Sequence, residues 1–218
     1  MNPSLVGSEM CIRDRDISYA EELGYKIKLL GIAKSQNADV EIRVHPTLVP
    51  KNRLVANVDG AMNAVLVHGN MVGPTLYYGA GAGAEPTASA VVADVIDIAR
   101  QTKLSQNTLI PSLGFMPDKI NEKNILSIEN IFSEYYLRFT MKNQAGLLAK
   151  ITNIFADHDI SINSMVHKEV QENNQNPDIF LITSKTKEAD IDIIISEIEL
   201  LPENTEKVVK IRTEELNK

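Results

Sequence analysis

The sequence predicts an α/β (α+β) fold that ends in a four-stranded antiparallel sheet with two helices on one face. Three observations predict it. Residues 134–218 run strand, helix, strand, strand, helix, strand, an order that buries both apolar faces at this size. "VEIRVHPTLVP" (40–50) alternates as a half-buried strand does. "YYGAGAGAEPTASAVVADVIDIAR" (77–100) passes from a strand through three spaced glycines into a long apolar helix opened by Pro86.

The bulk numbers bound the function. The chain has 218 residues, enough for one ordinary domain and a small one. Its 44% hydrophobic and 23% charged residues are a soluble globular composition. A net charge of −7 without a basic patch argues against nucleic acid and suits a cytoplasmic protein with small-molecule or protein partners. No apolar run reaches membrane-spanning length, so no membrane partner is expected. The single cysteine, Cys11, rules out an internal disulfide and a cysteine zinc cluster. His45, His68, His158 and His167 are scattered without an HExxH pair, so no metal is expected.

"MNPSLVGSEMCIRDR" (1–15) has neither a helical nor a strand period and lacks the apolar core of a secretory signal. It is read as a foreign or disordered leader, with the true chain longer upstream. Next, Ala20 and Leu23 lie three apart in a short helix that Gly24 stops, and "IKLLGIA" fits strand or helix equally. In 40–50, Val40, Ile42 and Val44 are expected on the buried face, with Glu41 and Arg43 opposite. Residues 64–68 and 72–78 read as two strands about a Gly69-Asn70 turn, with Pro74 marking an edge or a bulge. The helix after Pro86 carries Val91, Val95 and Ile98, widened by Val92, Ile96 and Ala99, and is expected to be well buried. Residues 101–133 are a polar connection with Pro111, Gly114 and Pro117.

In the C-terminal part, Tyr136, Arg138 and Thr140 face opposite to Tyr135, Leu137, Phe139 and Met141. A helix follows with Leu147, Leu148, Ile151, Ile154 and Phe155 on one stripe. Ile160, Ile162 and Val166 supply the buried face of the next strand, and "QENNQN" is a loop before "DIFLITSKT". "EADIDIIISEIELLP" is a helix stopped by Pro202, and "EKVVKIRTE" closes the sheet.

Three stretches are candidate sites. Gly79, Gly81 and Gly83 permit close backbone approach before a helix N-terminus, but the spacing is neither GxGxxG nor a GK[ST] loop. Cofactor contact and plain helix-on-sheet packing both remain open. Arg43, His45, Lys51, Asp59 and Asn63 are polar groups near strand ends, with no partner constellation to support Asp59 as a general base. His45, before Pro46, reads as a turn or surface residue. In "MKNQAGLLAKI", Asn143 can cap a helix and Gly146 lets the chain turn; capping alone and a pocket for an amino-acid carboxylate are both open.

"ELGYKIKLLGIAK", "VEIRVHPTLVP", "LVANVDGAMNAVLVHGNMVGPTLYYGAGAG" and "EPTASAVVADVIDIAR" closely resemble the back half of homoserine dehydrogenase. The likeness covers residues 16–100, and residues 134–218 resemble an ACT regulatory domain, joined by a 101–133 linker. The resemblance implies part of a catalytic domain with a mixed sheet, followed by a ferredoxin-like βαββαβ ACT domain. It implies an NAD(P)-dependent enzyme interconverting homoserine and aspartate semialdehyde, in threonine and methionine biosynthesis. By the match, Gly79, Gly81, Gly83, Glu85, Pro86 and Thr87 resemble one rim of the nicotinamide site. The family's nucleotide fingerprint and lysine-bearing signature have no counterpart here, so no catalytic residue is assigned, and the chain alone is expected to be inactive and to retain NAD(P) poorly. The ACT likeness implies a small amino-acid effector, threonine favoured, at Asn143, Gln144, Ala145, Gly146 and Leu147, faced by Ser161, Ile162 and Asn163 of a neighbouring copy. It also implies a homo-oligomer, a dimer or a dimer of dimers. A stand-alone amino-acid-binding regulator is the alternative.

Overall fold

Helix α1 (Asp14–Glu22) opens the part of the chain that the computed structural model describes, which is residues 12–36, 39–102, 114–168 and 176–216. The Asp16 carboxylate accepts the Arg13 N–H at 2.8 Å, which satisfies one free donor of the first turn. Asp14 and Asp16 both sit where the helix dipole favours negative charge. Gly24, at φ 86°, turns the chain out of the helix. Strands β1 (Tyr25–Gln36) and β2 (Asp39–Pro50) then pair antiparallel along their whole length, from Tyr25 opposite Pro50 to Gln36 opposite Asp39. "IKLLGIA" is therefore strand. The leader boundary expected at residue 15 falls inside α1; residues 1–11 lie outside the described residues.

A βαββαβ module follows the connection: β6 (Tyr135–Thr140), α3 (Leu147–Asp157), β7 (Ile162–Lys168), β8 (Asp178–Thr183), α4 (Glu188–Glu199) and β10 (Val209–Thr213). A minor ladder joins β5 (Phe132–Ser133) to β9 (Thr186–Lys187). The main sheet does not stop at this module. Its order is β1-β2-β10-β6-β8-β7, with β2 and β10 parallel and every other pair antiparallel. The mixed sheet is thus the N-terminal hairpin added to the edge of the C-terminal module.

Two apolar layers cover the two faces. On one side Tyr135, Leu137 and Phe139 of β6, with Met141 just beyond it, meet Leu147, Ile151 and Phe155 of α3 and Ile191, Ile194 and Ile198 of α4. On the other, Tyr136, Phe180, Val209 and Ile211 meet Ala20 of α1, Ile27 and Leu48. Strand β6 is buried on both faces because helices lie on one side and α1 on the other, so its period-two alternation separates two cores rather than core from water. Ile162 packs with the α3–α4 core and Val166 with the α1 core. They were expected on one face; a register shift between Ile162 and Ser164 puts them on opposite faces.

The faces of β2 are the reverse of expectation. Glu41, Arg43 and His45 are buried, while Ile42 is 54% and Val44 72% exposed. The buried side is held by ions that pair with one another: Arg43 with Glu41 at 2.7 Å and with Glu214 at 2.9 Å. The end of the expected linker is also ordered against this strand, since Val40 donates to Asn124 O and accepts from Leu126 N, both at 2.9 Å. Residues 103–113 of that linker, and 169–175 with most of "QENNQN", lie outside the described residues.

By internal contacts the chain divides into residues 1–56 with 124–217 and residues 57–123. In the second unit β3 (Met62–Gly69) and β4 (Gly73–Ala80) form a two-stranded ladder, with Pro74 opposite His68. Helix α2 (Ala84–Gln101) has no buried residue: Val91, Val92, Val95, Ile96 and Ile98 are all exposed. The expectation of a well-buried helix does not hold, because its apolar stripe meets no partner among the described residues. No helix of the described residues is long and apolar enough to cross a membrane.

Ile194 is fully buried between α3 and α4, and Leu200 is 84% exposed. Ile194→Ala is expected to cost about 2–5 kcal/mol in urea unfolding, and Leu200→Ala to stay within about 0.5 kcal/mol.

Candidate functional site

The turn from β6 to α3 is built on Gly146. Its φ of 84° and ψ of 0° are left-handed, a conformation that favours glycine. Gly146 itself is the N-cap, Leu147 N donates to Gln144 O at 3.2 Å and Lys150 N to Gly146 O at 3.0 Å. No side chain caps the helix, so the capping role expected of Asn143 is not present. Asn143, Gln144, Ala145 and Gly146 are exposed, and Leu147 is buried in the core. The first turn of α3 therefore presents backbone donors to an open turn.

The structure separates the two halves of the expected effector set. Thr140, just before the turn, pairs with Asp178, and Lys168 pairs with the same residue from the other side. Ile162 pairs with Thr183, at the far end of β8. Residues 161–163 and 143–147 thus lie at opposite ends of the sheet, five strand residues or about 17 Å apart. At that far end the Asn163 amide donates to Thr183 O at 3.1 Å and to the Glu134 carboxylate at 3.3 Å. Ser161 O accepts from Ser184 N at 2.7 Å. Strand β7, which carries Ile162 and Asn163, is the edge of the sheet.

The glycine loop is open. Gly79 is in β4, Gly81 in the loop, Gly83 is the N-cap of α2, and Glu85, Pro86 and Thr87 are in its first turn. Gly83, at a φ of 130°, is required by the loop's own geometry, while a Cβ on Gly81 would meet only the exposed side chain of Asn63. A Cβ on Gly79 would meet nothing within 4 Å. Thr87 N already donates to Gly83 O at 3.1 Å, Pro86 has no N–H, and Glu85 adds a negative charge to the first turn. These residues do not form a phosphate cradle. They fit, at most, one edge of a bound dinucleotide.

Two ion clusters brace the main sheet, and the sequence singled out neither. On the α1 face, Arg138 donates to Asp16 through Nε at 2.5 Å and Nη2 at 3.2 Å, with Arg138 1% and Asp16 0% exposed. Tyr136 donates to the same carboxylate at 3.0 Å. Asp178 accepts from Thr140 at 2.8 Å and Tyr19 at 3.2 Å, and Arg15 pairs with it at 3.1 Å. Burial pushes the Tyr19 hydroxyl up to about 12, helped by Asp178. Burial also disfavours the charge on Arg138, but the hydrogen bond and charge of Asp16 outweigh it, and its pKa is raised. On the helix face, Glu188 accepts from Arg212 at 2.5 and 2.7 Å, Lys210 at 2.5 Å and Tyr135 at 2.8 Å. Burial would raise the Glu188 pKa, yet Arg212 and Lys210 prevail and lower it to about 2.

His45 belongs to this second cluster and is neither a turn nor a surface residue. It is 7% exposed, with Nδ1 at 3.0 Å from both Pro46 O and Thr47 Oγ1. Nε2 has no hydrogen-bond partner among the described residues. Burial lowers its pKa to about 4, with Arg212 and Arg43 adding to the effect. Lys51 donates to Glu21 O at 2.6 Å, Asp59 O accepts from Met62 N at 3.3 Å in a turn, and Asn63 is exposed. Arg43, His45 and Lys51 belong to the first of the two units and Asp59 and Asn63 to the second. Among the described residues no three His, Cys, Asp or Glu side chains group to hold a metal.

These features define a class: an α/β chain whose sheet ends in a regulatory-type βαββαβ module with an open strand-to-helix turn. A family model described as homoserine dehydrogenase matches residues 6–96, and one described as ACT domain matches residues 135–203. The chain is 46% identical over 202 residues to a homoserine dehydrogenase of Pseudomonas aeruginosa, covering 93% of this chain and 46% of that one. It is 47% identical over 203 residues to that of Neisseria gonorrhoeae, with the same coverage. The crystal structure of a homoserine dehydrogenase from Thiobacillus denitrificans superposes with a TM-score of 0.84 at 52% identity, over 93% of this chain and 46% of that chain. The chain thus carries a homoserine dehydrogenase segment followed by an ACT domain. It spans about half the length of the curated relatives it matches.

The polar junction makes stability pH-dependent. His45 has a folded pKa of about 4 against an ordinary 6.5, so the unfolded chain takes up the proton first. Its contribution is intact above pH 6.5 and is lost as pH falls towards about 4. The loss is about 3 kcal/mol at its limit. Glu188, lowered from 4.5, adds a second loss only below that value. Urea midpoints are expected to fall between pH 6.5 and 4.5, and His45→Gln to flatten the decline in that window.

Proposed function

We propose that this chain is the rear part of a homoserine dehydrogenase with its amino-acid-sensing ACT module, and that by itself it binds a small amino acid without turning over homoserine. In the whole enzyme the activity is the NAD(P)-linked interconversion of homoserine and aspartate semialdehyde. Gly79, Gly81, Gly83, Glu85, Pro86 and Thr87 then supply one rim of the nicotinamide site. Held alone, that rim retains the dinucleotide poorly, because Pro86 and Glu85 leave few donors and no positive charge for its phosphates.

The observation that carries the sensing half is the open turn at Gly146 beside the first turn of α3. Its backbone donors suit the carboxylate of an amino acid. Asn143, Gln144, Ala145, Gly146 and Leu147 form that wall, and Ser161, Ile162 and Asn163 form the facing one. Because the two sets sit at opposite ends of one sheet, the facing wall comes from a second copy. Two β7 edges laid antiparallel bring the far end of one sheet to the turn of the other. The chain therefore works as a homo-oligomer, a dimer or a dimer of dimers, with threonine as the favoured effector.

Calorimetry of the full chain with L-threonine is expected to show saturable binding, weakened at least about tenfold by Gly146→Val, which cannot adopt the left-handed turn. Sedimentation is expected to show a dimer. The same preparation is expected to give no protein-dependent reduction of NAD or NADP by homoserine. Absence of binding by threonine and by every other amino acid overturns the sensing reading; turnover abolished by substituting a residue of this chain overturns the inactivity.

A further inference from the structure

The junction between the hairpin β1–β2 and the ACT module is short where backbone pairing is concerned. Among the described residues, Arg212 opposite Thr47 and Thr213 opposite Leu48 join β10 to β2, with one more bond from Glu214 N to Leu48 O at 2.8 Å. So short a seam leaves orientation to side chains. On the α1 face of the sheet, the Asp16–Arg138 pair supplies it. Asp16 lies within the dehydrogenase match, residues 6–96, and Arg138 within the ACT match, residues 135–203. The guanidinium reaches the carboxylate through two nitrogens at 2.5 and 3.2 Å, and both groups are removed from water. Tyr136 adds a third donor, and the Tyr19 ring stacks on Phe180 with centroids 4.3 Å apart.

A buried ion pair is poor at adding stability, because desolvation cancels most of the attraction. A slip that breaks its short hydrogen bonds is costly, because the buried carboxylate and guanidinium then lose their nearest partners. A one-turn shift of α1, or a tilt of the sheet beneath it, would cost Arg138 its two short bonds to Asp16 and leave it only the longer approaches to Asp178 at 3.8 Å and Glu206 at 3.7 Å. We infer that the Asp16–Arg138 pair is a coupling lock: it makes α1 and the hairpin β1–β2 follow the state of the ACT sheet, so that effector occupancy is felt by the dehydrogenase-matched part of the chain. The regulatory half of this inference rests on the effector reading above. Asp16 is a positioning residue here; it acts through Arg138 on β6, the strand that leads directly into the Gly146 turn.

Hydrogen exchange of the full chain, with and without threonine, tests the lock. In the unaltered chain, threonine is expected to slow exchange of the α1 and β1–β2 amides by at least about fivefold. Asp16→Asn is expected to keep threonine affinity within about threefold while losing that remote protection. Arg138→Lys, which keeps the charge but loses the fork, is expected to fall between the two. Threonine binding that leaves α1 and β1–β2 unchanged, or full remote protection in Asp16→Asn, overturns the lock. If no amino acid binds, the effector reading fails and the lock is judged on the ligand-free arm. There Asp16→Asn must speed exchange in α1 and in β6 and β8 together, and a change confined to α1 overturns it.

Discussion

Arg138 cannot be left in the middle of a sheet without an anion above it. That constraint organises most of this molecule. The residue sits on β6, the central strand of the C-terminal module, and points to the face that the module's own helices leave open. Asp16 meets it from α1, and Asp178 lies 3.8 Å away on β8. Once α1 is in place, Ala20 closes over Tyr136 and Phe180, and the hairpin that follows α1 is delivered to the edge of β10. One buried guanidinium–carboxylate pair thus ties the helix that precedes the hairpin to the central strand of the module.

The family boundaries and the physical boundaries therefore differ. By family, α1 and β1–β2 go with the glycine loop and α2; by packing, they go with the ACT module. The hairpin and the module share a sheet: Asp16 of α1 pairs with Arg138 on one face, Arg43 of β2 pairs with Glu214, and Glu188 holds Arg212 of β10 on the helix face. Glu188 is at the first residue of α4, so the helix layer is tied into the same seam.

Much of this was legible in the sequence. The βαββαβ order, the two faces of β6 and the stop before Pro202 follow from period, turn residues and length. The failures are instructive. In β2 the rule that apolar residues point inward chose Ile42 and Val44, but Glu41, Arg43 and His45 are inside because Glu214 arrives from the far end of the chain to pair with Arg43. No local pattern announces a partner so remote in sequence. Asp16 was overlooked for a similar reason: it follows a leader without structural period, and nothing nearby marks it as the mate of Arg138. The β7 bulge split Ile162 from Val166 by a single residue, a shift that alternation cannot reveal. At the candidate effector site the sequence located Gly146 correctly as a turn glycine but assigned the cap to Asn143, whereas the left-handed glycine itself is the N-cap that starts the helix. The apolar stripe of α2 was read correctly as a stripe; its burial was a tertiary property that the described residues do not supply.

The most direct measurement of the central claim, that the hairpin and the ACT module are one physical unit, is pulse-labelled hydrogen exchange of the full chain along a urea gradient, resolved by peptide. The account predicts that peptides from residues 25–50 and from residues 135–213 become labelled over the same urea range and in the same molecules. Labelling of residues 25–50 at clearly lower urea, while residues 135–213 stay protected, would contradict it.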